Sequence, residues 1–544
     1  MVKKKKNRFL EALTYYNVII FIVAALLLFA SKDIAISYIC STLNVRKEAT
    51  RQLVQYGVYI SEACAWLYFF YKNYQKKKYQ KVTGRNLDTD IAKYKRSPSQ
   101  LLEYFKDADP HKLDTSVFEA EHWSDANGFI FGMAKNKLVK IPSASESNIA
   151  VFGPPGTGKT AGLANINAIT FEGSVLAIDI KGDIYAYVSK HSDREIRLFC
   201  PEDPENSAHF NPLAGLSEMD STDKKLYIES MSTILIADEG GGGSDGNYFV
   251  TRARKYYQGI CHMLYYENPD ITFPEIVHKI LEGNAFDWVN NAINGECQEA
   301  KELLSSFFGN NEKNVTGAYD NLVTAMTPFA NEALDELLKD DGHCISSNDL
   351  EEGRDVYLQI KQEHLDAYAP LFTLIVQAFS TAFTKRPDNS SGIKTRPVLM
   401  LLDEFPALTY SYKLINSNLS TLRSKNIVIV MIQQNLAQLE KRYDPTGARS
   451  LVGNCNYQII LGSNDIASSK VFSDTFGKRR ILKRSNSESH SQNETTSWSV
   501  QEADEQIFRP EDFGYLGTNA VLYFKGKYAM IRKLNCYRDV KPEM

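Results

Sequence analysis

The 544-residue chain has no C-x-x-C pair: its eight cysteines (Cys40, Cys64, Cys200, Cys261, Cys297, Cys344, Cys455 and Cys536) stand singly. That excludes a zinc ribbon and offers no disulfide framework, so a reducing compartment fits. There is no H-E-x-x-H, which excludes a metalloprotease centre of that kind. No long acidic or low-complexity tail follows the last apolar segment. Hydrophobic residues at 43% and charged residues at 24% sit at the globular average, which excludes wholesale disorder, collagen and a many-helix transporter. What is present is length enough for about three or four domains.

A uniformly basic coat is also missing. The net charge is −4, but residues 1–8 carry Lys3, Lys4, Lys5, Lys6 and Arg8, and residues 72–81 carry Lys72, Lys76, Lys77, Lys78 and Lys81, with no acid in either stretch. Setting these ten aside leaves 52 basic against 66 acidic residues, a balance of −14. The body is acidic, and a polyanion has to be met locally.

Between the two basic collars run two apolar stretches. The first, 13–31, contains the uninterrupted run Val18–Ala30 behind Tyr15 and Tyr16, and with its flanks it reaches the roughly 20 residues that cross a bilayer core. No small-residue cleavage pattern follows Ala30, which argues against a removed signal peptide. The second, 52–71, includes Gln55 and Glu62 but ends in Trp66, Tyr68, Phe69, Phe70 and Tyr71, a cluster suited to a membrane interface. The positive-inside rule puts both collars, and hence both termini and the body, in the cytoplasm.

The segment Phe129–Ile141 reads as a β-hairpin, and Asn148–Phe152 as a short buried strand. Directly after it stands Gly153-Pro154-Pro155-Gly156-Thr157-Gly158-Lys159-Thr160, a G-x-x-x-x-G-K-[ST] loop in the strand–loop–helix setting the motif requires. Backbone N–H groups from Gly156 onward can turn toward phosphate oxygens at a helix start, where the dipole favours an anion. The prolines cannot donate and only shape the loop. Lys159 is expected to reach the β/γ-phosphates, and the Thr160 hydroxyl to ligate Mg²⁺.

A second strand, Val398–Phe405 (VLMLLDEF), ends in Asp403-Glu404, with its acids at the carboxyl edge where open α/β sheets hold ligands. Asp403 is expected to hold Mg²⁺ through water and Glu404 to polarise the attacking water. A third, Ile427–Ile432, runs straight into Gln433-Gln434, an amide suited to sense a γ-phosphate because it both donates and accepts. Arg423 precedes it in a predicted helix, where a mobile cation can complete a neighbour's site.

Asp179-Ile180-Lys181-Gly182-Asp183 follows a strand at Ser174–Ile178, and His209-Phe210-Asn211-Pro212-Leu213 closes the next stretch. Residues 222–345 are helical in texture, interrupted by Gly240-Gly241-Gly242-Gly243-Ser244-Asp245-Gly246, which reads as a linker because no strand feeds it. After Gly477 a basic stretch turns Ser/Asn/Thr-rich and reads as a solvated hairpin arm in preference to a DNA-binding strand. A closing hairpin is expected at 520–533 around Lys525-Gly526-Lys527.

GPPGTGKT, DIKGD, HFNPL, LLDEFPAL, IQQNLAQLE and GNCNYQIILGSND, in this order behind a two-helix membrane hairpin, resemble the TraG/TraD-type coupling ATPases of type IV secretion systems. The resemblance implies an α/β fold: a RecA-like P-loop domain (82–215 and 346–544) with an all-α domain insert (216–345) facing the cytoplasm, preceded by an inner-membrane anchor (1–81). It further implies a homo-hexameric ring with ATP and Mg²⁺ at subunit interfaces. Gly153, Gly156, Thr157, Gly158, Lys159 and Thr160 would bind the nucleotide, Thr160 and Asp403 the metal. Arg423 falls where the family's trans-acting arginine lies, although Arg423-Ser424-Lys425 stands in place of the usual Gly-Arg-Lys, and Gln434 falls at the sensor glutamine. Such proteins deliver DNA–relaxase complexes or protein effectors to the other secretion components.

Two alternatives stand beside this reading. One is a DNA-translocating motor of the FtsK/HerA kind, which usually carries more spans or a DNA-reading end module. The other is a non-hydrolysing nucleotide-dependent membrane receptor, which would keep the P-loop and have no need of Glu404.

Overall fold

The computed structural model describes residues 48–83, 112–123, 128–141, 147–237, 244–489 and 495–540, with a few isolated positions between 36 and 100. The apolar stretch 13–31 lies outside the described residues. Two compact units result: residues 110–479 with 505–544, and residues 1–109 with 480–504.

The larger unit is built on a twelve-stranded sheet. Seven strands run parallel, in the spatial order β10 (Tyr457–Ile460), β4 (Ile149–Phe152), β9 (Ile427–Gln433), β8 (Val398–Leu402), β5 (Ser174–Ile180), β7 (Asp355–Ile360) and β6 (Ile196–Phe199). Five antiparallel strands extend the β10 edge: β13 (Asn519–Phe524), β14 (Lys527–Arg532), β2 (Ile130–Ala134), β3 (Lys137–Lys140) and β1 (Glu119–Ala120). Both expected hairpins are present, and each turns through two residues of positive φ: Lys135 and Asn136, and Lys525 and Gly526. That geometry matches the twist of the strands it joins.

The apolar runs of β8 and β9 follow from burial on both faces. Along β9, Ile427, Ile429 and Met431 join one core while Val428, Val430 and Ile432 join the other. The second face carries the helix that leaves the loop, with Leu163, Ala164 and Ala168, and the helix Asp183–His191, with Ile184 and Val188. The first carries helix Leu365–Thr384 and helix Leu436–Gly453.

The segment expected to be helical contains helices at Ser221–Leu235, Ser244–Glu267, Phe273–Glu282, Ala285–Asn294, Gln298–Leu304, Glu312–Met326 and Glu332–Leu337. Its apolar residues merge with the sheet's first face in one continuous core. The glycine run is shorter as a linker than its sequence implies: Ser244, Asp245 and Gly246 already belong to the second of these helices. Four strands escaped the periodicity reading, β1, β6, β7 and β10.

In the smaller unit, Glu48–Thr83 is a single helix of 36 residues, about 54 Å long. Tyr56, Ile60, Leu67, Tyr68, Phe70 and Tyr71 on it are all at least 60% exposed. Among the described residues, however, the one helical stretch long and apolar enough to cross a membrane is Gln362–Ser391. It is mostly buried and is the core helix against the sheet. The expected span at 52–71 therefore exists as helix but falls short of that measure, its apolar content diluted by Gln52, Gln55 and Glu62. Strands β11 (Lys478–Ser489) and β12 (Thr495–Gln506) pair in a separate two-stranded sheet, as the arm reading expected.

Candidate functional site

Four adjacent strands, β4, β9, β8 and β5, end at one edge of the sheet, and the loops leaving them bring the site together. The Gly153 N–H donates to the Gln433 carbonyl (3.1 Å), fixing the loop's first residue to the neighbouring strand. A Cβ on Gly153 would lie 2.5 Å from Thr157 Oγ1 and 3.1 Å from Leu461 Cβ, so close packing requires glycine there. Gly156 (φ 78°) and Gly158 (φ 95°) have open space around them and are needed for their left-handed backbone. Thr157 Oγ1 donates to the Pro154 carbonyl (2.7 Å), and Lys159 Nζ to the Gly153 carbonyl (2.6 Å), which holds the ammonium over the loop.

Thr160 opens one π-helical turn, Thr160–Ala164, which continues as helix Asn165–Thr170. The buried Asn167 anchors this helix to the first hairpin, donating to the Ile130 carbonyl (2.9 Å) and accepting from its N–H (2.6 Å). Gly162 faces the segment that follows β14: a Cβ there would stand 2.8 Å from the Leu534 carbonyl oxygen.

Because β9 lies between β4 and β8, Gln434 emerges between the loop and the acids. Gln434 Nε2 donates to Glu404 Oε1 (3.0 Å), and the Gln434 N–H to Gln438 Oε1 (3.1 Å). Glu404 holds a left-handed backbone (φ 45°, ψ 44°), with its N–H on Asp403 Oδ1 (3.1 Å). A non-glycine residue in that region is strained, a state retained when surrounding contacts over-determine it. Burial, with the Glu404 charge beside it, pushes the Asp403 carboxyl up to about 6. Burial lowers the Lys159 ammonium's pKa, opposed by Glu404 and Asp403 and reinforced by the positive charge of Lys181.

Gly153, Gly156, Thr157, Gly158, Lys159, Thr160, Asp403, Glu404 and Gln434 thus share one sheet edge. Arg423 does not. It sits in a 3₁₀ turn, Leu422–Lys425, ahead of β9, not in the expected helix. The whole length of β9, about 20 Å, separates it from the edge where Gln434 lies. Gln433, the other member of the amide pair, is fully buried and packs into the core with neither amide atom hydrogen-bonded.

Two further residues belong to this edge and went unassigned in the sequence. Asp179, at the end of β5, is buried; it accepts from the N–H groups of Ile184 (3.2 Å) and Tyr185 (2.7 Å), and burial raises its carboxyl to about 6. Lys181 follows at φ 89°. The available signal was an acid ending an apolar strand before Lys-Gly; what it lacked was the knowledge that β5 lies beside β8.

A parallel sheet with a phosphate-type loop after β4, acids after β8 and an intervening strand is a RecA-like P-loop fold. It is similar to the bacterial conjugative coupling protein TrwB lacking its first 70 residues, at a TM-score of 0.57 and 15% identity over 75% of this chain and 90% of that one. The same holds for TrwB in complex with ADP and Mg²⁺, at 0.57 and 15% over 75% and 89%. The chain belongs to the family described as type IV secretory system conjugative DNA transfer, whose model matches residues 93–543. It is 24% identical to protein VirD4 of Rhizobium radiobacter over 77% of its own length, and 21% identical to the conjugal transfer protein TraG of Escherichia coli over 71%. The match spans 62% of the length of each of these two relatives.

Proposed function

We propose that this chain is a Mg²⁺-dependent ATPase that couples a DNA–relaxase complex or a protein effector to a type IV secretion channel. The observation that carries the catalytic part is the convergence of Lys159, Asp403, Glu404 and Gln434 on one edge, with Gln434 bonded to Glu404. Lys159 and the N–H groups from Gly156 onward would receive the phosphates. The Thr160 hydroxyl and the Asp403 carboxylate are hard oxygen donors, and they fit Mg²⁺. The metal, when bound, neutralises charge on the phosphate oxygens. Glu404 accepts a proton from the attacking water, and Gln434 orients that carboxylate while its amide answers to the terminal phosphate. The relatives support this reading: TrwB has been seen with the ATP analogue ADPNP and with ADP and Mg²⁺.

The larger assembly belongs to the same proposal. The division into an anchor (1–81), a nucleotide-binding domain (82–215 and 346–544) and an all-α domain (216–345) is kept. So is attachment to the inner membrane through two helices, for which the exposed aromatic residues of Glu48–Thr83 speak. A homo-hexameric ring would give Arg423 its use: it is too far from its own loop to act there, and a neighbour's loop is the site left to it. ATP turnover by the membrane-bound protein tests the core of the reading. Lys159→Ala and Glu404→Gln should each abolish phosphate release, with Glu404→Gln still binding ATP; undiminished turnover in both variants would overturn it.

A further inference from the structure

Lys181 carries a constrained backbone and an exposed side chain. It stands at φ 89° and is followed by Gly182 at φ 77°, a conformation L-residues adopt only when neighbours enforce it. The enforcing contacts are visible. The Lys181 N–H donates to the Ile360 carbonyl (3.1 Å) and the Ala186 N–H to the Gly182 carbonyl (3.0 Å). Asp179 pins the start of helix Asp183–His191 through its two N–H bonds. Gln359 packs so closely on Gly182 that a Cβ there would lie 2.8 Å from its Nε2.

The backbone is therefore locked, while the side chain is exposed and, among the described residues, makes no hydrogen bond or ion pair. Its place on the sheet is specific. Register pairs Ile178 of β5 with Leu402 of β8, so Lys181 leaves the sheet beside Asp403-Glu404, on the side away from the P-loop. Lys159 reaches the same acids from the other side and feels the Lys181 charge. The two cations are within electrostatic reach of each other, and a polyanion bound at this edge would offset their repulsion.

We infer that Lys181 is a second phosphate-binding cation, its ammonium directed at the terminal phosphate of a nucleoside triphosphate held in this chain's own loop. The inference rests on the reading of this edge as an ATP site. The terminal phosphate is the target because Lys181 approaches from the acid side, where the bond to be cleaved must lie, whereas the loop holds the phosphates nearer the nucleoside.

The test compares two nucleotides on the full-length membrane protein: a non-hydrolysable β,γ-imido ATP analogue and ADP. Lys181→Ala keeps the same Cβ on the same backbone, so it removes the ammonium without altering the local strain. It should weaken the analogue by about tenfold and ADP by less than about twofold, and Lys181→Arg should recover most of the loss. Unchanged analogue binding, or equal weakening of both nucleotides, would overturn the inference. Lys159→Ala, measured alongside, should weaken both nucleotides. If it weakens neither, the ATP-site reading itself fails, a result distinct from failure of Lys181 alone.

Discussion

The hydrogen bond from Gln434 to Glu404 makes the two side chains one functional group. Gln434→Glu would set a second carboxylate about 3 Å from the first, and like charges raise a carboxyl pKa. Turnover should fall further than in Gln434→Ala and recover in part as pH rises, because Glu404 must be ionised to take a proton; a pH–rate profile of both variants checks this. Asp403 gives a prediction of its own sign. With its carboxyl near 6, it gains a proton as pH falls below that value and becomes a poor ligand for a hard cation. The Mg²⁺ concentration for half-maximal turnover should therefore rise steeply between about pH 7 and pH 5.5, and a flat dependence would remove Asp403 from the metal. Lys159, Thr160, Asp403, Glu404 and Gln434 were legible in the sequence because each is announced by its own local context, a glycine loop or the polar end of an apolar strand. Asp179 and Lys181 were not, since their relevance depends on which strand β5 lies against.

At the level of elements, legibility followed burial. β8 and β9 are apolar throughout because both faces are covered. β7 hid because its sequence, DVYLQI, opens on Asp355 and includes Gln359, which breaks the run. Asp355 is fully buried, yet it serves the fold: its Oδ1 accepts the Val175 N–H (2.8 Å) and its Oδ2 meets Arg194 Nε (3.3 Å), which ties β7, β5 and the turn before β6 together. Asp355→Ala would leave the Val175 N–H without its acceptor and Arg194 Nε without its partner, although the rest of the guanidinium keeps the carbonyls of Ala168, Phe171 and Gly173; a loss of about 2 kcal/mol is expected, to be seen as a lowered thermal unfolding midpoint. The helices between β6 and β7 announced themselves by their apolar period. The structure adds their caps: Phe273–Glu282 begins with a capping box in which Thr272 and Glu275 satisfy each other's backbone N–H groups.

For the whole molecule, the separation of Arg423 from its own loop has a direct test. If Arg423 acts on a neighbour, an equal mixture of Arg423→Ala and Lys159→Ala subunits pairs some intact loops with intact arginines. It should regain ATP turnover that neither variant has alone; a mixture as inactive as its parts would remove the trans role. The distance that keeps Arg423 from its own loop could not be read from the sequence, which lists residues without distances. The same sheet also dictates an order of events during synthesis. β2 is joined to the rest of the sheet through β14, and β14 through β13, so a hairpin made within the first 140 residues waits for a partner made after residue 518. Until then the hairpin, and the β13 side of β10 once β10 itself has been made, are open edges, the kind that invites pairing with other chains. A ribosome carrying this chain therefore displays unpaired β-structure for most of the time it takes to make the protein, which makes the late-arriving C-terminal hairpin the step that shields the nascent molecule from aggregation.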